Sequence, residues 1–164
     1  LLNSVVNNPK IDWNHHRAVV FLDPFGMQVT WATLEALAST KAIEVFLNFP
    51  VGMAIQRLLL RDQTKFTDER REKLDTYFGS PGWFPTLYKK EKTLFGEETE
   101  KIEQSGKALV KWYRKRLRKA FGHASKAALI LNTKGAHLYY LLLASPKPTG
   151  VKIADYILSA GEWV

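Results

Sequence analysis

Arg17-Ala-Val-Val-Phe-Leu-Asp-Pro-Phe-Gly26 is an unbroken apolar run that stops on a polar, turn-forming tetrapeptide. A short apolar run closed by a turn signal reads as a strand buried in a parallel sheet, and such sheets carry ligands just beyond the carboxyl ends of their strands. Asp23 stands at that position. The plainer reading of Asp23-Pro24-Phe25-Gly26 is a proline-opened turn that needs no ligand, so the rest of the chain decides what the motif means.

Working outward, the pattern alternates. Ala18 to Leu22 is a strand, and Trp31 to Ser39 is an amphipathic helix with Leu34, Leu37 and Ala38 on its inner face. Ala42 to Phe49 is a second strand, closing on Asn48-Phe49-Pro50. Gly52 to Leu60 reads as a short helix. Thr67-Asp68-Glu69 supplies an N-cap and an acidic first turn for another helix, running to about Tyr77. Gly79 to Phe95, residues 79–95, carries Gly-bounded turns with Trp83, Phe84 and Tyr88 and reads as an aromatic-rich excursion from the sheet layer. Glu97 to Ala120 reads as the longest helix, acidic at its start, basic at its end and stopped by Gly122. Ala127 to Asn132 and His137 to Ala144 are apolar strands joined by Thr133-Lys134-Gly135, a connection too short for anything but antiparallel pairing. Thr149 then caps a last helix, Gly150 to Ala160. The fold class is α/β, with parallel strands closed by an antiparallel hairpin and helices on both faces.

Composition narrows the function classes. The chain has 164 residues, 46% of them hydrophobic, enough for one domain (1–164) with a real core and too apolar for disorder. No apolar run is long enough to span a bilayer. Without cysteine, disulfides, thiolate metal sites and a thiol nucleophile are excluded, which fits a cytoplasmic protein. The 24 Lys and Arg against 16 Asp and Glu leave a net charge of +8, which favours polyanionic partners such as nucleic acid. The chain opens on Leu1 and runs almost directly into an apolar strand, so we expect it to be the carboxyl-terminal part of a longer domain.

The order of these elements is similar to the second half of a seven-stranded, Rossmann-like methyltransferase sheet. More specifically, the chain resembles the carboxyl-terminal portion of the three-Cys-motif partner protein (TcmP) family. The resemblance rests on Val20-Phe-Leu-Asp-Pro-Phe-Gly26, Trp31 with Leu34, Glu44-Val-Phe-Leu-Asn-Phe49 with Arg57, and Phe78-Gly79 with Trp83. It continues through Tyr113 with Leu117 and Tyr139-Tyr140-Leu-Leu-Leu143 before Pro146 and Gly150. These span about Ala18 to Trp163. The resemblance implies S-adenosylmethionine as cofactor, held mainly by residues absent from this chain, because no Gly-x-Gly cluster follows an apolar strand here.

It also implies that Asp23-Pro24-Phe25-Gly26 stands where amino-methyltransferases carry Asp/Asn-Pro-Pro-Tyr/Phe. The second proline is missing, and the variant is similar to the motif of transfer-RNA guanine-N2 dimethyltransferases. Asp23 would accept from the amine, Pro24 would lend its carbonyl and Phe25 would stack on the base. Gly26, Asn48, Phe49 and Trp31 are the candidate substrate-side neighbours. For Asn48 the alternative is satisfaction of backbone groups at the strand end, and for Trp31 it is packing of the helix on the sheet.

Lys111, Arg114, Lys115, Arg116, Arg118 and Lys119 form the densest positive charge. A solvated face with favourable dipole placement accounts for it, and phosphate contact by Lys111, Arg114, Lys115 and Arg118 is the functional alternative. His15, His16, His123 and His137 show no metal-ligand spacing. Two functions remain: a methyltransferase-like enzyme of which this chain forms the substrate half, or a non-catalytic partner of a three-Cys-motif, metal-cluster type protein. In either case the strand edge that missing strands would cover leads us to expect a homo-oligomer or a retained partner.

Overall fold

The computed structural model describes residues 2–24, 26–50, 55, 66–93, 96–101, 105–160 and 162–163. Phe25, Arg57 and nearly all of the helix expected over 52–60 lie outside them. After a π-helical turn at Leu2–Val6 come β1 (Ala18–Leu22), α1 (Trp31–Ser39), β2 (Ile43–Phe49), α2 (Asp68–Phe78) and α3 (Trp83–Leu87). The chain continues with β3 (Tyr88–Thr93), β4 (Gly96–Lys101), α4 (Ser105–Phe121), β5 (His123–Ala124), β6 (Ala128–Leu131) and β7 (His137–Ser145). It closes with α5 (Pro148–Ile157), a 3-10 turn at Leu158–Ala160, and β8 (Glu162–Trp163).

The main sheet has the order β1-β2-β7-β6-β8, with β5 pairing to β7. β1 and β2 are parallel, with Leu22 opposite Leu47, whereas β7 enters antiparallel beside β2 and pairs with β6 through the expected hairpin. Asn132 shapes that hairpin by accepting from the amides of Lys134 and Ala136. The mixed α/β architecture is as the alternating pattern predicts.

Strand periodicity divides the sheet into two unequal faces. Ile43, Val45, Leu47 and Phe49 of β2, with Tyr140, Leu142 and Ala144 of β7, are buried on the first face. Leu34 and Leu37 of α1 and Leu109, Tyr113 and Leu117 of α4 complete the same core. On the second face, α5 reaches the sheet at Gly150, where an added Cβ would stand 2.6 Å from the Glu44 carboxylate. That carboxylate accepts from the Ser145 hydroxyl. Beyond α5 the second face of β1 is bare: Val19 is 64% and Phe21 60% exposed. β1 is also the terminal strand of the sheet, so it presents an unpaired edge among the described residues.

An aromatic cluster joins α2 and α4 to the end of β2. Phe49 stacks on Tyr113 with centroids 4.4 Å apart and packs against Tyr77 and Phe78, each 6.5 Å away. Burial pushes the phenols of Tyr77 and Tyr113 well above their ordinary pKa and raises Tyr88 to about 12. The folded state therefore holds these protons after the unfolded chain has begun to release them near pH 10. Stability is intact below about pH 10 and falls as pH rises toward the folded values, by about 1.4 kcal/mol per pH unit for each buried phenol. Thermal melts between about pH 9 and 12 should show this decline; a flat profile would mean the phenols are not protected.

Two boundaries differ from the expectations, and two short strands are added. Glu97–Lys101 is not the start of the long helix: it pairs with Tyr88–Thr93 as a separate two-stranded sheet, and α4 begins at Ser105. The register runs from Tyr88 opposite Lys101 to Thr93 opposite Gly96, so the hairpin overrides the helix propensity of the glutamates. Thr149 is inside α5 rather than its cap, because Pro148 takes the first helical turn, where its missing amide costs nothing. The short strands β5 and β8 were not anticipated.

α2 ends as its sequence demands. The Thr67 side chain accepts from the Arg70 amide at its start, and Gly79 closes it in the left-handed region at φ 64°. A Cβ on Gly79 would also meet the Trp31 side chain at 2.3 Å. Gly79→Ala thus combines a backbone penalty with a clash against a buried ring, and we expect a loss of about 2–4 kcal/mol, read as a fall in the urea midpoint. An unchanged midpoint would contradict this packing.

Candidate functional site at the carboxyl end of the parallel strands

β1 and β2 end side by side, and their last residues place two polar side chains on the second, largely bare face. Asp23 follows Leu22 directly and is exposed, whereas Asn48 is only 5% exposed. The Asn48 Nδ2 donates to Asp23 Oδ1 at 2.8 Å, holding the carboxylate from the neighbouring strand. Alternation on two parallel strands in register produces this meeting, because Phe21 pairs with Phe46 and the next outward positions are 23 and 48. No ion pair engages Asp23 among the described residues. Asn48 Oδ1 is buried without a hydrogen-bond partner among them. A buried acceptor left without a partner costs free energy within the fold. Asp23 thus offers its second carboxylate oxygen at the exposed rim, whereas Asn48 Oδ1 is enclosed behind it.

The other expected residues divide. Pro24 is half-buried beside Asp23, and Gly26 has φ 76° with open space where a side chain would project. Phe49 is fully buried in the aromatic cluster and so supports the strand end from beneath. Trp31 is 4% exposed: its indole N–H donates to Glu35 at 2.6 Å, its edge meets Tyr113 and the Arg116 guanidinium lies 4.3 Å from its centre. It packs α1 onto α4, which is the plainer of its two readings. Of the α4 cations, Lys111, Lys115 and Arg118 are exposed, but Arg114 Nε donates to the Ser125 carbonyl at 2.5 Å and is committed to the fold. Arg116, whose role the sequence does not disclose, is half-buried over Trp31 and Trp112; burial lowers its pKa while Glu35 acts to raise it.

The four glycines at positive φ, residues 26, 79, 122 and 135, sit at turns and helix ends, and none forms a loop that could cradle a nucleoside cofactor. Among the described residues no Gly-x-Gly turn follows a strand, the feature by which S-adenosylmethionine would be held. Nor does any group of three or more His, Asp or Glu among them have the arrangement to hold a metal; His15 instead meets Asp12 at 2.8 Å on the surface. No described helix is long and apolar enough to cross a membrane.

By its fold and rim the chain is a mixed α/β protein with a polar pair at the carboxyl ends of adjacent parallel strands. Comparison with protein-family models, curated proteins and solved structures finds no match to any of them.

Proposed function

We propose that this chain is the acceptor-side half of a methyltransferase-like protein acting on an exocyclic amine of a nucleic-acid base. The observation that carries this reading is the Asp23 carboxylate, exposed at the end of β1 and oriented by Asn48 from β2. The order β1-β2-β7-β6, a parallel pair followed by an antiparallel hairpin, supports it.

An exocyclic amine is a weak nucleophile because its lone pair is delocalised into the ring. Two acceptors on its N–H bonds rotate that lone pair out of conjugation and stabilise the positive charge that develops on nitrogen. Asp23 Oδ2 is one acceptor and the Pro24 carbonyl is the second. Phe25 would stack on the base. The methyl donor, S-adenosylmethionine, would be held by sequence other than this chain. The test is radiolabelled methyl transfer to nucleic acid by the intact protein, with Asp23→Asn as control; labelling that is absent from the parent would overturn the reading.

A second reading rests on a different observation. Val19 and Phe21 are bare on an unpaired terminal strand, which favours an assembly role, either with another copy or as the companion of a three-Cys-motif protein. Sedimentation of the isolated chain checks it: Phe21→Lys should shift an oligomer toward monomer, and a parent already monomeric argues against self-assembly.

A further inference from the structure

We propose that the outer side of α4 and the groove at its carboxyl end form a track for the phosphate backbone of a single nucleic-acid strand. This deepens the reading above by naming how the substrate is gripped, and its test does not depend on methyl transfer.

Removing Glu97–Lys101 from the long helix changes the charge balance on which the plainer reading rests. α4 as folded contains no acidic residue at all. Lys107, Lys111, Lys115 and Lys119 recur every four residues and are all exposed. They form a ladder with a rise of ~6 Å per step. Like charges at this spacing repel and weaken a helix. The helix dipole rewards only Arg118 and Lys119 in the last turn and opposes Lys107 in the first. Local helix energetics therefore account for the end of the ladder and not for its beginning, whereas a polyanion lying along it would offset every step.

The ladder runs into a concavity. Tyr113 packs on Phe49 at the carboxyl end of β2, while Phe121 lines a cavity with Lys41, which precedes β2, so α4 runs antiparallel to that strand. The cavity is an open groove of about 780 Å³. Lys41, Arg116, Lys119 and Lys147 converge on it from three separate parts of the chain, with Glu35 the single carboxylate. Glu35 already accepts from Trp31. Lys41 holds a left-handed backbone, φ 53°, which is strained for a residue with a side chain. Arg116 Nε is buried with no hydrogen-bond partner among the described residues. Ala38, Ala120 and Pro146 give the groove an apolar floor.

A nucleic-acid strand fits these features better than a membrane. The apolar side of α4, Leu109, Val110, Tyr113 and Leu117, is buried in the core and has nothing to insert between lipids. Cations around a concave groove suit protruding phosphates rather than a flat surface.

Fluorescence anisotropy of a labelled 20-nucleotide oligo(dT) with the full chain, without cofactor, provides the test. Neutralisation of about five phosphates predicts a log-log salt slope near −3.5 and a roughly 100-fold fall in affinity between ~50 and ~200 mM salt. Lys111→Glu with Lys115→Glu, and separately Lys119→Glu with Lys147→Glu, should each weaken binding by more than ~10-fold at ~100 mM salt and flatten the slope by about 1.4. All four side chains are on the surface, and unchanged circular dichroism will verify the fold. No binding at ~50 mM salt, equal binding by parent and variants, or preference for phosphatidylserine vesicles over the strand would each overturn the proposal. Displacement of the strand by equimolar pyrophosphate would also overturn it, because a free phosphate would then be the ligand. Strand binding that persists where no methyl transfer is detected would keep the track while removing the enzymatic reading.

Discussion

Truncating Phe49 to alanine is expected to lower the melting temperature by about 10 °C. The ring is fully buried at the end of β2 and touches Tyr77, Phe78 and Tyr113, so its removal strips one side from each of three aromatic neighbours. Loss of a buried Phe costs about 3–5 kcal/mol, transfer and cavity together, and a domain of this size shifts by about 2–4 °C per kcal/mol. Phe49→Leu fills part of the space and should recover half or more of the loss. A shift below about 3 °C for the alanine variant would mean that α2 and α4 do not close on the strand as described.

The second large effect is on chemistry. Asp23→Asn should reduce methyl transfer by about 10²–10³-fold, the range for removing one preorganised group that meets developing charge, with the melting temperature unchanged because the side chain is exposed. Asparagine preserves size and can still meet Asn48, so the loss isolates the negative charge. Asn48→Ala leaves the carboxylate but removes the donor holding it at 2.8 Å; its smaller deficit, about tenfold, should appear in kcat rather than KM. Turnover of Asp23→Asn within about threefold of the parent would take Asp23 out of the site.

Much of this arrangement was legible because its signals are local. Thr67 with two acids after it marks a helix start, and Leu34 and Leu37 recur at helical spacing. The Thr133-Lys134-Gly135 turn permits only an antiparallel pair. That β1 and β2 end at the same edge follows from two apolar strands, whereas the hydrogen bond from Asn48 to Asp23 is a result of the fold alone. What could not be read depends on partners distant in sequence. Glu97–Lys101 has a helix-forming composition, yet its strand partner begins at Tyr88. Arg114 and Arg116 look alike in a basic run, but one is tied to Ser125 and the other lies on Trp31. Only the fold separates a committed cation from one facing solvent. The burial of Phe49 and Trp31, both plausible lining residues by type, likewise depends on which side of each element meets α4.

The placement of β7 between β2 and β6 has a consequence for biosynthesis. Glu44 on β2 and Ser145 at the end of β7 are hydrogen-bonded although they are 101 positions apart. During translation β2 leaves the ribosome long before β7, the strand that will cover its flank, and that flank stays open through the interval. A chaperone that shields Phe46 and Leu47 until residue 145 has emerged is expected to raise the yield of folded protein.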